Sequence, residues 1–349
     1  MPLSIAWLSS RVLGSDLCST TQINLANGLA SRGHTVVFYS PGTVSNCLFE
    51  HVQISRSNLK GFQSQSVVNN IRTRLDDISN CDVILLDWTI AKLAKNMDQK
   101  VILVDRGPPA DIGIFAKLQW LVWSKAWKKT TQGLVVSEKH RDFVVGKIKR
   151  NNHSIGVVPA GVDVNLFKSD SKEGPIKLAY HGRVDVHRGV MSLPMILAGL
   201  HSQGVEATLH IHGVGDALER LKSMDLEGLE VTDALPQDNI AKLLSEYDIG
   251  LLPMPEHKVW SLASPLKRSE YLACGMVVCG IDHAGHQIEG SGDWLQLYAQ
   301  KDFITSTVSW IKSLDRESLS SLQQESRKFA EENLSWSHSV DALESIILS

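Results

Sequence analysis

The feature that most constrains the fold is a series of short runs that are apolar nearly throughout, at residues 4–8, 35–39, 83–86, 101–104 and 134–136. A half-exposed strand alternates apolar and polar side chains, whereas a strand without alternation is buried on both faces, as in a parallel sheet covered by helices. Between the first two runs, Ile23, Leu25, Ala26, Leu29 and Ala30 recur at helical spacing and the segment closes on Arg32-Gly33, a C-terminal cap. That is a βαβ unit. After Phe167 a polar stretch, 168–175, precedes a second series of runs at 176–180, 208–211, 229–231, 249–252 and 276–279, and beyond Lys301 the pattern is helical. The expected architecture is α/β, with two Rossmann-like doubly wound domains whose strand ends face a central cleft. The domains span 1–168 and 169–334, and a C-terminal helix within 335–349 packs back on the first.

Composition narrows the class. A chain of 349 residues, 43% apolar and 21% charged, is globular and long enough for two domains. No apolar run reaches the roughly 18 residues of a membrane helix, and the first eight residues lack the basic start and cleavage site of a signal peptide, so a cytoplasmic location is expected. Five scattered cysteines without C-x-x-C spacing predict free thiols rather than disulfides or zinc. The net charge of −3 conceals +7 over residues 1–170 and −10 over 171–349. A basic half fits an anionic surface such as a membrane or a phosphate-bearing lipid, chance asymmetry being the other reading; a nucleic-acid partner is not expected.

Open α/β sheets bind ligands at the C-terminal ends of their strands, so function is sought in the loops that follow them. In the second half, Ser264, Pro265 and Leu266 open a helix-length run ending at Gly275. The free N–H groups at such an N-terminus suit phosphate, and Glu270, about 1.5 turns in, can accept from the vicinal hydroxyls of a sugar; a solvated helix face is the alternative. Arg183 and Arg188, in a glycine-bounded loop after a strand, can clamp a diphosphate with two guanidinium forks, or can lie free on the surface. Gly213 and Gly215 form a G-x-G suited to a tight turn or close ligand approach, and His212 is expected to be a packed or surface histidine rather than a metal ligand. In the first half, Gly14 and Ser15 lie in a small-residue loop able to pass beneath a phosphate or sugar, without the Walker lysine pattern. Asp105 and Arg106 follow the 101–104 run and could orient an acceptor hydroxyl or phosphate, or form a structural ion pair. Trp120, Trp123 and Trp127 stand at i, i+3 and i+7, with Lys128 among the flanking lysines, a pattern for a headgroup interface or for core packing.

Taken together, residues 30–36, 158–163, the Gly182-Arg183 and Arg188-Gly189 loop, and 270–275 resemble glycosyltransferase family 4, in the right order over nearly the whole chain. The resemblance implies a GT-B fold and a hexosyltransferase-type enzyme. It also implies a UDP- or GDP-linked sugar donor held mainly by the second domain, no metal or other cofactor, and retention at the anomeric carbon. Carried over by residue, Arg183 and Arg188 face the donor diphosphate, Glu270 holds the ribose, and the backbone of Ser264, Pro265 and Leu266 approaches the phosphates. Leu262 stands where the family commonly has a glutamate that contacts the donor sugar, so the sugar is not carried over. Asp105-Arg106 occupies a position that is often histidine in related enzymes. The acceptor expected is a saccharide or lipid-linked molecule, with possible attachment at the inner face of a membrane in polysaccharide or glycolipid assembly. A non-catalytic GT-B scaffold and a sugar-nucleotide epimerase are the alternatives.

Overall fold

The computed structural model describes residues 1–16, 18–109, 114–149 and 154–349, the side chains of 114–116 excepted. The chain forms two compact units, Met1–Ala160 with Trp336–Ser349, and Gly161–Ser335.

The first unit is built on strands β1 (Ser4–Leu8), β2 (Thr35–Ser40), β3 (Glu50–Gln53), β4 (Val83–Asp87), β5 (Lys100–Val104), β6 (Gln132–Val135) and β7 (Ile155–Val157). They lie in the order β3-β2-β1-β4-β5-β6-β7, every neighbouring pair parallel. The lack of alternation in β1 has a direct cause. Ile5 and Trp7 pack on one face with Leu25 and Leu29, while Ala6 and Leu8 pack on the other with Val67, Val68 and Trp123. Helix Trp336–Leu348 closes the first of these faces through Val340, Leu343 and Ile347. It comes so close to helix Ser19–Ser31 that a Cβ on Gly28 would stand 2.2 Å from Val340, and Arg32 pairs with Asp341 and Glu344 at 2.6 Å each.

The second unit carries β8 (Ile176–Arg183), β9 (Ala207–Val214), β10 (Leu229–Thr232), β11 (Ile249–Leu252), β12 (Val277–Ile281) and β13 (Leu295–Tyr298), ordered β10-β9-β8-β11-β12-β13 and again all parallel. The division between units falls after Ala160, not at 168. Val162 and Phe167 are buried in the second core, and Arg327 ties the carbonyls of Val164 and Phe167 to helix Arg316–Asn333. Three strands escape the apolar-run reading: β3, β7 and β13. Each is a sheet edge with half-exposed positions, where continuous apolarity is not required. In both sheets the strand order reverses at the first strand, between β1 and β4 and between β8 and β11. Crevices at such points are the usual ligand sites of doubly wound sheets.

Candidate functional site

At the β8/β11 switch point, four segments of the second unit meet: the loop after β8, the 253–265 loop after β11, helix Leu266–Ala273, and the loop after β12. Gly189 turns the first of these with φ +76, and a Cβ there would stand 2.3 Å from the Pro253 carbonyl oxygen, so only glycine fits. Arg183 and Arg188 do come together, on a residue the sequence reading passed over. Asp185, buried at 5% exposure, accepts from Arg183 Nε (3.1 Å) and Nη2 (2.9 Å) and lies 3.4 Å from Arg188 Nε. Burial acts to raise the Asp185 carboxyl, but Arg183 outweighs it and holds the group below its usual range. The Arg188 guanidinium also lies over Trp260, 5.7 Å from the ring centroid, with Nη1 3.7 Å from Met254 Sδ.

Glu270 is buried, and its Oε2 lies 3.0 Å from His181 Nε2, at ion-pair distance. The next residue, Tyr271, accepts the His181 backbone N–H through its hydroxyl (3.1 Å), which fixes the helix to the end of β8. Pro265 stands at the N-cap with extended backbone and Leu266 opens the helix; Ser264, Pro265 and Leu266 are all half-buried. Lys267, which sequence reasoning missed, sets its ammonium 4.0 Å from the Tyr180 ring centroid, and a Cβ on Gly182 would lie 3.3 Å from that nitrogen. A third cation therefore borders the loop that carries Arg183. Arg268 is buried and donates from Nη1 to the carbonyls of Gly285 and Gln287, anchoring the loop after β12; burial pushes its pKa down to about 10. Leu262 is buried.

Gly213 needs no ligand to account for it, since a Cβ there would be 1.9 Å from the Gly182 carbonyl oxygen of the neighbouring strand. His212 is a packed histidine, within 2.7 Å of Thr232 Oγ1 and 3.0 Å of Tyr247 Oη, and burial pushes it down to about 4. Among the described residues no three His, Cys, Asp or Glu side chains are placed to hold a metal ion.

The first unit corrects two expectations. Asp105 is fully buried, with its carboxylate turned into the core. Its Oδ2 accepts from Trp123 Nε1 (2.6 Å) and Trp127 Nε1 (2.8 Å), its Oδ1 accepts the Gly107 N–H, and His140 Nε2 lies 3.4 Å away. Trp123 and Trp127 therefore point inward at 0% exposure and belong to the core, and Trp120, half-buried, packs edge-on against Trp123. The exposed face of the same helix, Ile114–Lys129, carries Leu118, Leu121 and Val122, with Lys117, Lys125, Lys128 and Lys129 exposed around them. Arg106 donates Nη1 to the Val158 carbonyl (2.8 Å) and borders a recess at the β1/β4 switch point. Gly14 and Ser15 form an exposed tight turn, with Gly14 at φ +86 and its N–H bonded to Ser19 Oγ at 2.6 Å.

No protein-family model matches the chain, and no curated protein matches its sequence. The fold does have solved counterparts, which are GT-B glycosyltransferases, and this chain has that fold. A sucrose-phosphate synthase from Thermosynechococcus elongatus is similar over 99% of this chain and 98% of its own, at TM-score 0.79 and 14% identity. A glycosyltransferase from Rickettsia africae is similar over 100% and 99%, at 0.75 and 15%. HepE from Anabaena, solved in complex with UDP-glucose, is similar over 99% and 100%, at 0.71 and 12%.

Proposed function

We propose that this chain is a retaining, metal-independent glycosyltransferase that binds a nucleoside-diphosphate sugar in its second unit and passes a hexosyl group to a saccharide or lipid-linked acceptor. The observation that carries this reading is the arginine pair oriented by Asp185 at the switch point of the second sheet, within the same loop system as Glu270 and the N-terminus of helix Leu266–Ala273. Cleavage of the glycosyl-phosphate bond builds negative charge on the departing diphosphate, and fixed cations and N–H dipoles lower that barrier without reorganising. In the step proposed, the bond from C1 to the phosphate oxygen breaks while C1 bonds the acceptor oxygen on the same face. The acceptor proton passes to the leaving phosphate. Glu270, as a buried carboxylate, is suited to accept from the two ribose hydroxyls.

Calorimetric titration with UDP, GDP and their hexose conjugates tests the donor site. UDP comes first, because HepE was solved with UDP-glucose. One nucleotide is expected to bind saturably, and Glu270→Ala to weaken it about tenfold or more, the scale of hydrogen bonds to a charged group. Absence of binding by every nucleotide favours a non-catalytic scaffold, and an isomerised sugar nucleotide among the products favours an epimerase.

A membrane-borne acceptor is supported by the exposed Leu118, Leu121 and Val122 stripe with its lysine border, a composition suited to an anionic headgroup region. Co-sedimentation with phosphatidylglycerol vesicles is expected for the unmodified chain and to fall at least fivefold for Leu121→Asp. Equal sedimentation of the two would remove the membrane from this reading.

A further inference from the structure

Glu270 is a buried carboxylate that the fold leaves short of donors. Its side chain is 9% exposed, and His181 Nε2 lies 3.0 Å from its Oε2. That nitrogen is itself shut off from solvent and makes no aligned hydrogen bond, and among the described residues no other group donates to the Glu270 carboxylate. Closeness without alignment is a charge contact rather than a hydrogen bond. A buried carboxylate so placed gains from a positive charge on its neighbour or from donors that a ligand brings.

The groups packed around His181 limit which charges act on it. Helix Leu266–Ala273 presents Glu270, Tyr271 and Lys267. The Tyr271 ring meets the imidazole edge-on, with centroids 5.3 Å apart, and burial raises its hydroxyl well above the usual range, so it carries no charge near neutrality. The Lys267 ammonium sits against Tyr180 and Gly182, the residues on either side of His181. From β9 comes His212, the register partner of His181, which burial pushes down to about 4 and so keeps neutral. On the other side of β8, strand β11 is Ile249-Gly250-Leu251-Leu252 and has nothing to titrate. On β8 itself, Arg183 is turned to Asp185. Among the described residues, Glu270 is therefore the anion at ion-pair distance from His181.

Histidine is the side chain whose charge ordinarily changes between about pH 5 and 8. As imidazolium, His181 gains a charge-assisted hydrogen bond by drawing Oε2 into line with Nε2. A ribose diol needs the same carboxylate, with both oxygens turned to its two hydroxyls. Negative charge on a bound diphosphate acts the other way and favours the imidazolium, but that charge is met by Arg183 and Arg188. We infer that His181 is a positioning residue for the sugar-nucleotide donor: its proton and the donor's ribose compete for Glu270, so the donor binds the form with a neutral imidazole and binding releases a proton to solvent. This inference rests on the donor-site reading above.

The test is calorimetric titration of the full chain with UDP-glucose from about pH 5.5 to about pH 8.5, with GDP-mannose in its place where the guanine nucleotide is the one that binds. In both ligands each phosphate is a diester and stays ionised across this range, so a change in affinity reports the protein. Affinity is expected to fall about fivefold or more toward the acid end, and titration near pH 6.5 in buffers of different ionisation enthalpy should show net proton release. His181→Asn, which keeps the backbone N–H that Tyr271 accepts, should flatten the profile to within about twofold and remove the proton release. Glu270→Gln, which removes the charge that the imidazolium meets, should flatten it as well while weakening binding at every pH. A histidine that served packing alone would lower affinity equally at all pH values when replaced. Binding by the unmodified chain that is flat in pH or tightens toward acid, or a profile that His181→Asn leaves unchanged, overturns the role of His181 and leaves the donor site standing. Absence of sugar-nucleotide binding at every pH overturns both.

Discussion

Asp105→Ala is expected to destabilise the first unit by about 3–5 kcal/mol, the usual cost of removing one member of a buried charged network. The variant leaves two indole N–H groups and the Gly107 N–H without their acceptor and His140 without its neighbouring carboxylate, all inside the core. Urea unfolding followed by tryptophan fluorescence reads the loss directly, because Trp123 and Trp127 are the residues released. Asp105→Asn should recover only part of it, since one face of the amide then presents N–H groups to other donors. The pH dependence has a definite sign. Burial acts to raise the Asp105 carboxyl, but His140 and the two indoles outweigh it and hold the folded-state pKa below the ordinary value. The ionised carboxylate therefore contributes fully above about pH 4, and that contribution is lost as the pH falls through the folded-state pKa. A side chain that instead acted on substrate would give an Asp105→Asn variant of full stability and no turnover, and that outcome would restore Asp105 to the reaction.

The same residue shows why some of the molecule is legible in sequence and some is not. The central strands are read correctly because burial on both faces leaves a mark at every position, as in β1, where alternate side chains enter different cores. A tryptophan stripe at i, i+3 and i+7 shows that one helical face is distinctive, but not which way that face points. Its direction is set by Asp105, 18 and 22 residues before the indoles it bonds. Once Asp105 supplies a buried acceptor to both indoles, the interior becomes the favourable place for them, and the aliphatic face of Leu118, Leu121 and Val122 is left outside. The arginine loop reads well because its strand, glycines and cations are contiguous. The recess of Arg11, Gln22, Asp87 and Arg106 does not, because its members come from the loop after β1, helix Ser19–Ser31, the end of β4 and the loop after β5, and only the strand order makes them neighbours. Crevices at switch points are assembled this way in general, which is why single-sequence motifs find contiguous glycine and arginine loops more readily than clusters drawn from distant segments.

Substitution at the arginine pair should have the largest effect on activity. Arg188→Ala is expected to reduce nucleoside-diphosphate affinity about 10–100-fold and kcat/KM by about 100-fold or more, because the lost donor acts on charge that grows as the glycosyl bond breaks. Asp185 then separates two accounts of how the pair works. If only net charge mattered, removing a carboxylate beside two arginines would tighten diphosphate binding, and Asp185→Asn would be the stronger binder. The geometry points the other way. Asp185 holds Arg183 through two hydrogen bonds and stands beside Arg188 Nε, while the Arg183 side chain is 47% exposed and has no other hydrogen-bond or ion-pair partner among the described residues to fix its fork. Without that carboxylate the Arg183 guanidinium must be ordered by the ligand itself, an entropic cost on the order of 1 kcal/mol, while Arg188 keeps Trp260 and Met254 beside it. Asp185→Asn is therefore expected to bind UDP less tightly, about fivefold or more, and to show a steeper loss in kcat than in affinity. A tighter-binding Asp185→Asn variant would mean that the pair acts through its charge alone and that its orientation in the free protein is incidental.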